Sequence, residues 1–249
     1  MSGHSKWSSI KHKKAATDAK RGKVFSKLIR EITVAARIGG GETESNPRLR
    51  TAVQTAKGSN MPLDNIERAI MKGTGELPGQ NFEPFLYEGY GPGGVAILVD
   101  VLTDNKNRTV AELRHIFVKS GGNLAETGSV QWMFERKGYI SVNAESVSEE
   151  DLLEVALEAG AEDLKNEGDS LAIYTSFEDF YLVKAKVEEA DIPIESGELT
   201  MLPQTAVAVE GKQAEKTLKL METLEEQDDV QSVYGNFDIE EKEMEALLS

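Results

Sequence analysis

Apolar residues in the first third of the chain recur at helical spacing. Val24, Phe25, Leu28, Ile29, Ile32, Ala35 and Ala36 fall within roughly 100° to 240° of a helical wheel counted from residue 23. Lys20, Lys23, Lys27, Arg30 and Arg37 fall within roughly −40° to +60°, the opposite side. The pattern predicts one helix with a core stripe and a basic stripe. Gly39-Gly40-Gly41 ends it, since glycine readily leaves helical dihedrals. A second helix is predicted from Asn46 as N-cap and Pro47 at the first helical position, with Leu49, Ala52, Val53 and Ala56 inward and Gly58 at its close. A third follows Met61-Pro62, with Ile66, Ala69 and Ile70 inward, Asn65, Arg68 and Lys72 on another face, and Gly73 and Gly75 as stops. Three short helices joined by Gly/Pro/Asn loops imply a small bundle, in which no recognition helix of the helix-turn-helix kind stands out.

From Phe82 the period changes. Phe85-Leu86-Tyr87 and Val95 to Leu102 read as two strands around the turn Gly89-Tyr90-Gly91-Pro92-Gly93-Gly94. Asp104 or Asn105 caps a helix whose Val110, Leu113, Ile116 and Phe117 face inward, with Arg108, Arg114, His115 and Lys119 as its polar decoration. Between 132 and 204 the order is βαββαβ: strands near 134–142, 162–166, 170–175 and 194–202, helices near 148–160 and 177–190. That order is the ferredoxin-like split βαβ unit. Beyond Pro203 come strand-like Val207-Ala208-Val209, a helix over about 212–226 and strand-like Val230 to Tyr234. These pieces make a poor domain alone and good sense as the completion of the 80–131 unit. The expected fold is therefore α+β and multidomain. It comprises a basic arm and N-terminal three-helix bundle (1–78), an α+β middle domain (79–131 with 205–249) and an inserted, acidic ferredoxin-like domain (132–204).

Length and composition agree with this. The chain has 249 residues, 39% hydrophobic and 29% charged, which is ordinary for a globular protein of two or three domains. The absence of cysteine excludes disulfides, thiolate metal sites and a cysteine nucleophile. No apolar run approaches the ~20 residues of a membrane helix, and residues 1–23 lack the apolar core of a secretory signal.

Charge changes the picture more. The net charge of −15 conceals a split: residues 1–75 carry 15 Lys+Arg against six Asp+Glu, a net of +9, and the remainder is strongly acidic. Such asymmetry points to a polyanionic partner for the basic part, with mutual attraction of acidic and basic parts of one molecule as the competing explanation. Before the apolar periodicity begins, Lys6, Lys11, Lys13, Lys14, Lys20, Arg21 and Lys23 stand with Asp18 as the single acid and Trp7 as the single aromatic. Such an arm buries little surface by itself. Together with Lys27, Arg30 and Arg37 of the helix, these residues and Trp7 form the candidate nucleic-acid contact, with Trp7 available to stack on a base. The 132–204 region holds five Lys+Arg against 18 Asp+Glu, which repels phosphate. Lys137-Gly138-Tyr139 opens like an RNA-binding strand motif and then lacks its aromatics. That region reads as a scaffold or a surface for protein contacts.

Catalytic signatures are missing. Gly89, Gly91 and Gly94 spell G-x-G-x-x-G, but they open a strand-like run rather than a helix, and Pro92 interrupts them, so a hairpin turn is expected and not a nucleotide site. There is no P-loop, and His115 has no metal-spaced neighbours in sequence. No enzymatic activity, cofactor or metal is expected.

The motifs carry one further reading. Gly3-His4-Ser5-Lys6-Trp7 with Ile10 to Lys14, Asp18 to Lys23 with Phe25-Ser26-Lys27, Asn60-Met61-Pro62 with Asn65-Ile66, Tyr87 to Gly94, Thr103-Asp104-Asn105 with Asn107-Arg108-Thr109, and Gly121 to Leu124 resemble the YebC/PmpR family of regulators over essentially the whole chain. The resemblance implies three domains, one of them a ferredoxin-like insertion, and a cytoplasmic DNA-binding transcriptional regulator. It also carries, as the alternative, a ribosome-associated translational activator that uses the same surface on ribosomal RNA, since mitochondrial relatives act in translation. The family's opening stands at Met1 with no presequence, which leads to the expectation of a bacterial cytoplasmic protein.

Overall fold

The computed structural model describes Trp7 and residues 18–248, apart from the side chains at 18–21, 241, 245 and 248. It is a mixed α and β structure with antiparallel four-stranded sheets, and it divides into two compact units. One is made of residues 18–129 with 212–233, the other of 130–211 with 234–248.

The first unit begins with α1 (Asp18–Gly39), α2 (Pro47–Gly58) and α3 (Leu63–Thr74). The Asn46 side chain caps α2 by accepting from Leu49 N at 3.1 Å, and its amide donates to Ala35 O and Gly40 O, both at 2.8 Å. One buried asparagine thereby satisfies the start of α2 and carbonyls at the end of α1. Ile32, Ala35 and Ala36 of α1 meet Leu49, Ala52, Val53 and Ala56 of α2 and Ile66 and Ala69 of α3 in one core, the expected inward faces. Gly73 departs from expectation. It does not stop α3 but lies inside it, and a Cβ there would come within 2.4 Å of Thr33 O and 2.7 Å of Ala36 Cβ. Its lack of a side chain lets α3 press against the α1 backbone. The stop is Gly75, with φ of 86°.

In the same unit, β1 (Glu83–Tyr90) pairs antiparallel with β2 (Ala96–Thr103). The remaining members are α4 (Lys106–Lys119), β3 (Asn123–Leu124), α7 (Gly211–Glu225) and β9 (Val230–Gly235), and the sheet order is β3-β1-β2-β9. The glycine motif is the β1–β2 turn, containing a short 3-10 segment Pro92–Gly94. Strand β2 is buried along almost its whole length, as an apolar run without alternation requires when both faces are covered. Side chains alternate between faces. Leu102 packs with Val34 of α1 and Phe82. On the other face, Gly89, opposite Ile97, leaves room for Phe117 of α4.

In the second unit, β4 (Phe134–Asn143), β5 (Asp163–Asn166), β6 (Ser170–Thr175) and β7 (Ile194–Pro203) form an antiparallel sheet ordered β5-β6-β4-β7. Helices α5 (Glu149–Glu158) and α6 (Phe180–Glu189) contribute Leu152, Ala156, Val183 and Val187 to a core with Ile140, Val142, Leu171 and Ile173. Beyond the sheet, β8 (Val207–Ala208) pairs in parallel with β10 (Phe237–Asp238), and α8 (Glu241–Leu248) follows. The expected middle domain took in all of 205–249. In the structure only 212–233 joins the first unit, while 205–211 and 234–248 lie with the second. Among the described residues, no helix is long and apolar enough to cross a membrane.

Replacing Gly73 with alanine puts a methyl group against backbone that has no room to yield. Gly73→Ala is expected to destabilise the protein by about 1–3 kcal/mol, as overpacking does, despite alanine's better helix propensity. A denaturant midpoint equal to or above the wild-type value would contradict this account of the α1–α3 contact.

Candidate nucleic-acid interface

The basic stripe of α1 forms on the helix face predicted for it, but much of it is occupied by the chain itself. Lys27 Nζ donates to Glu225 O at 3.1 Å and Gln231 O at 3.4 Å. Lys23 Nζ reaches Glu226 O at 3.3 Å, and Arg30 donates to Asp228 O. These carbonyls belong to the last residue of α7, the loop after it and, for Gln231, strand β9. A helix C-terminus ends in unpaired carbonyls and the negative end of its dipole, so cations from α1 are natural caps. Further along, Arg37 donates to Asn81 Oδ1 and Phe82 O, and the Arg30 guanidinium lies 4.9 Å from the centre of the Phe82 ring.

Asp229 is the centre of this arrangement. Its side chain is only 9% exposed. Arg30 donates to Oδ1 at 3.1 Å, and Arg108, Thr109 and Thr103 donate to Oδ2 at 2.6, 2.8 and 3.1 Å. The carboxylate thus ties together α1, the end of β2 and the first turn of α4. Its own backbone carbonyl accepts from Leu102 N at 2.8 Å. Burial pushes the Asp229 carboxyl upward, but the hydrogen bonds from Arg108, Thr109 and Thr103 outweigh it and hold it below the ordinary carboxylate range. Arg108 also pairs with Asp104 at 3.0 Å.

A cleft of about 460 Å³ adjoins this cluster, lined by Arg30, Phe82, Arg108 and five carboxylates, those of Asp104, Glu112, Glu226, Asp228 and Asp229. With two cations already paired and five acids around it, the cleft repels an anionic ligand. Among the described residues no group of three His, Asp or Glu side chains is placed to hold a metal ion.

The predicted contact residues therefore separate into groups. Lys6, Lys11, Lys13 and Lys14 lie outside the described residues, as do the side chains of Lys20 and Arg21. Lys23 is exposed. Lys27, Arg30 and Arg37 serve α7, the loop behind it and the approach to β1. They were expected as part of a nucleic-acid contact, and the chain brings its own carbonyls and Asp229 to those cations. Trp7 differs too: it is 4% exposed, so its ring is not open to a base. Tyr139, in the strand motif that resembled an RNA-binding one, is buried, and its hydroxyl donates to Glu167 at 3.1 Å.

The structure adds cations that the predicted set did not include. Lys57 and Lys72 of the bundle and Arg114, His115 and Lys119 of α4 are exposed, and among the described residues their side chains make no hydrogen bond or ion pair. A helical wheel of α4 carried the signal, since its outward stripe has no acid.

Two family models match the chain: the TACO1/YebC protein N-terminal domain over residues 5–76, and the TACO1/YebC second and third domain over residues 82–237. The chain belongs to the TACO1/YebC family. Among its relatives, a probable transcriptional regulatory protein of Desulforapulum autotrophicum is 59% identical over 247 residues, covering 99% of this chain and all of the relative. One of Geobacter sulfurreducens, with the same description, is 59% identical over 248 residues, the full length of both. The crystal structure of a conserved hypothetical protein from Aquifex aeolicus superposes with a TM-score of 0.78 at 55% identity, covering 89% of this chain and 92% of that one.

Truncating Asp229 leaves Arg30, Arg108 and two threonine hydroxyls without their common acceptor. Asp229→Ala should lower stability by about 2 kcal/mol, the cost of buried hydrogen-bonding groups left unpaired. The carboxyl's folded pKa is lowered, so its stabilisation is complete above the unfolded value near ~4 and is lost as pH falls through the folded value. The gap between wild type and Asp229→Asn, followed by denaturation across that range, should therefore close on acidification. A gap that stays constant to low pH would show that the carboxylate's charge contributes nothing.

Proposed function

We propose that this protein is a non-enzymatic, cytoplasmic regulator of gene expression that binds duplex DNA through its basic N-terminal arm and the start of α1. The observation that carries the reading is the run Lys6, Lys11, Lys13, Lys14, Lys20, Arg21 and Lys23, seven cations with Asp18 as the single acid among them. The regulator names of full-length relatives support it. Lysines and arginines on phosphates give affinity and salt dependence with little sequence information. The engagement of Lys27, Arg30 and Arg37 within the first unit moves the proposed contact toward the arm, with α1 as its rigid mount. The same reading divides the chain into the bundle, the middle domain and an acidic ferredoxin-like domain over 132–204. The strand order β5-β6-β4-β7 with its two helices supports that last assignment. The acidic domain is left for protein contacts.

If seven phosphates are engaged, the logarithm of affinity falls against the logarithm of salt concentration with a slope of about −6. Combining Lys11→Glu, Lys13→Glu, Lys14→Glu and Lys20→Glu should weaken duplex binding at least about a hundredfold at ~0.1 M salt while leaving thermal stability unchanged. Arg30→Glu should act chiefly on stability. A slope near zero would remove the electrostatic mechanism. Sedimentation with intact ribosomes in the presence of excess duplex DNA tests the target itself: a chain that travels with ribosomes, and is released by the arm substitutions, moves the reading to ribosomal RNA.

A further inference from the structure

The arm and α1 supply affinity without selectivity, so a regulator of this kind needs a second element to read base edges. We propose that the outward face of α4 is that element and lies in the major groove of duplex DNA. The inference rests on duplex DNA as the target of the arm.

Asn107, Ala111, Arg114, His115 and Val118 follow one another at helical spacing and are exposed, Val118 at 63%. Opposite them, Leu113, Ile116 and Phe117 fix the helix to its unit, so the outward stripe is held on a rigid element rather than a loop. No carboxylate lies on the stripe, and the Arg114 and His115 side chains have no partner among the described residues. Its chemistry suits base edges: Arg114 can donate twice to a guanine, Asn107 can both donate to and accept from an adenine, and Val118 offers an apolar contact to a thymine methyl. Ala111, in the middle, is short enough to let the backbone approach closely. The helix is about 21 Å long and, with side chains, about 10–12 Å wide, which matches the groove. Lys119 lies on the same side of the helix as Glu112 but about 10 Å beyond it, at the end of the helix, where it can meet a phosphate past the acidic flank. Glu112 and the cleft carboxylates Asp104, Glu226 and Asp228 lie along one flank. They repel the backbone there, so the duplex approaches from the side of Asn107 and Arg114. Bulk electrostatics and local selectivity are thus assigned to separate parts of the chain.

A photo-cross-linking benzophenone amino acid placed at Ala111 of the full chain, irradiated with random-sequence duplex DNA, tests the contact directly. The expected result is a covalent protein–DNA adduct from position 111 and none from the same group placed at Glu154, exposed on α5. In parallel, Arg114→Glu with Lys119→Glu should reduce duplex affinity at least about tenfold and, through the lost Lys119 phosphate contact, make the salt slope shallower by about 1. If the duplex still binds through the arm but position 111 gives no adduct and the double variant binds normally, the α4 proposal fails and the DNA reading survives. If the chain binds no duplex and sediments with ribosomes, both fall together.

Discussion

Removing a carboxylate from water is unfavourable unless hydrogen bonds replace the lost hydration, and Asp229 meets that condition with four donors. The donors come from three places: a helix of the bundle, the end of a strand and the first turn of another helix. None of these elements is near Asp229 in sequence. A local carboxylate thereby enforces long-range order, because any displacement of α1, β2 or α4 leaves a buried charge with an incomplete shell. The cation caps on α7 reinforce the same junction through dipoles rather than full charges. Bundle and sheet are consequently parts of one unit and not beads on a string.

This junction also explains how a strongly basic helix coexists with an acidic remainder. Arg30 and Arg37 are satisfied internally and anchor α1. Lys23 and Lys27, nearer the start of the helix, donate to carbonyls at and beyond the end of α7. Charge density by itself does not distinguish an anchoring cation from a solvated one; the presence of an internal acceptor does.

Much of the fold was legible because it depends on short-range signals. Asn46-Pro47 marks a helix start, apolar spacing marks the inward faces of α1 to α4, and the continuous apolar run Val95 to Leu102 marks a strand covered on both sides. The destination of the basic stripe was not legible, since Lys27 meets Glu225 across 198 positions. In the acidic stretch Glu225, Glu226, Asp228 and Asp229, no local pattern singles out Asp229 as the buried member. Gly73 misled for a related reason. Glycine ends helices and also permits close approach, and only the position of Thr33 decides which applies. Arg114 and His115 were visible as surface decoration, but that neither has a partner among the described residues is a property of the folded chain.

The first unit is discontinuous: β9 and α7 join a sheet and bundle whose other members precede residue 130. During synthesis, β2 therefore emerges as a temporary sheet edge, with Asp229 and its neighbours still to be translated. Strands β4 to β7 appear in the meantime and can pair with one another first. The last-made segment must then close a loop of more than a hundred residues, an entropic cost that rises only slowly with loop length but delays the final assembly step. A partly made chain thus exposes an apolar strand edge to aggregation. The acidic excess of the segment translated in that interval provides charge repulsion at the stage when it protects most.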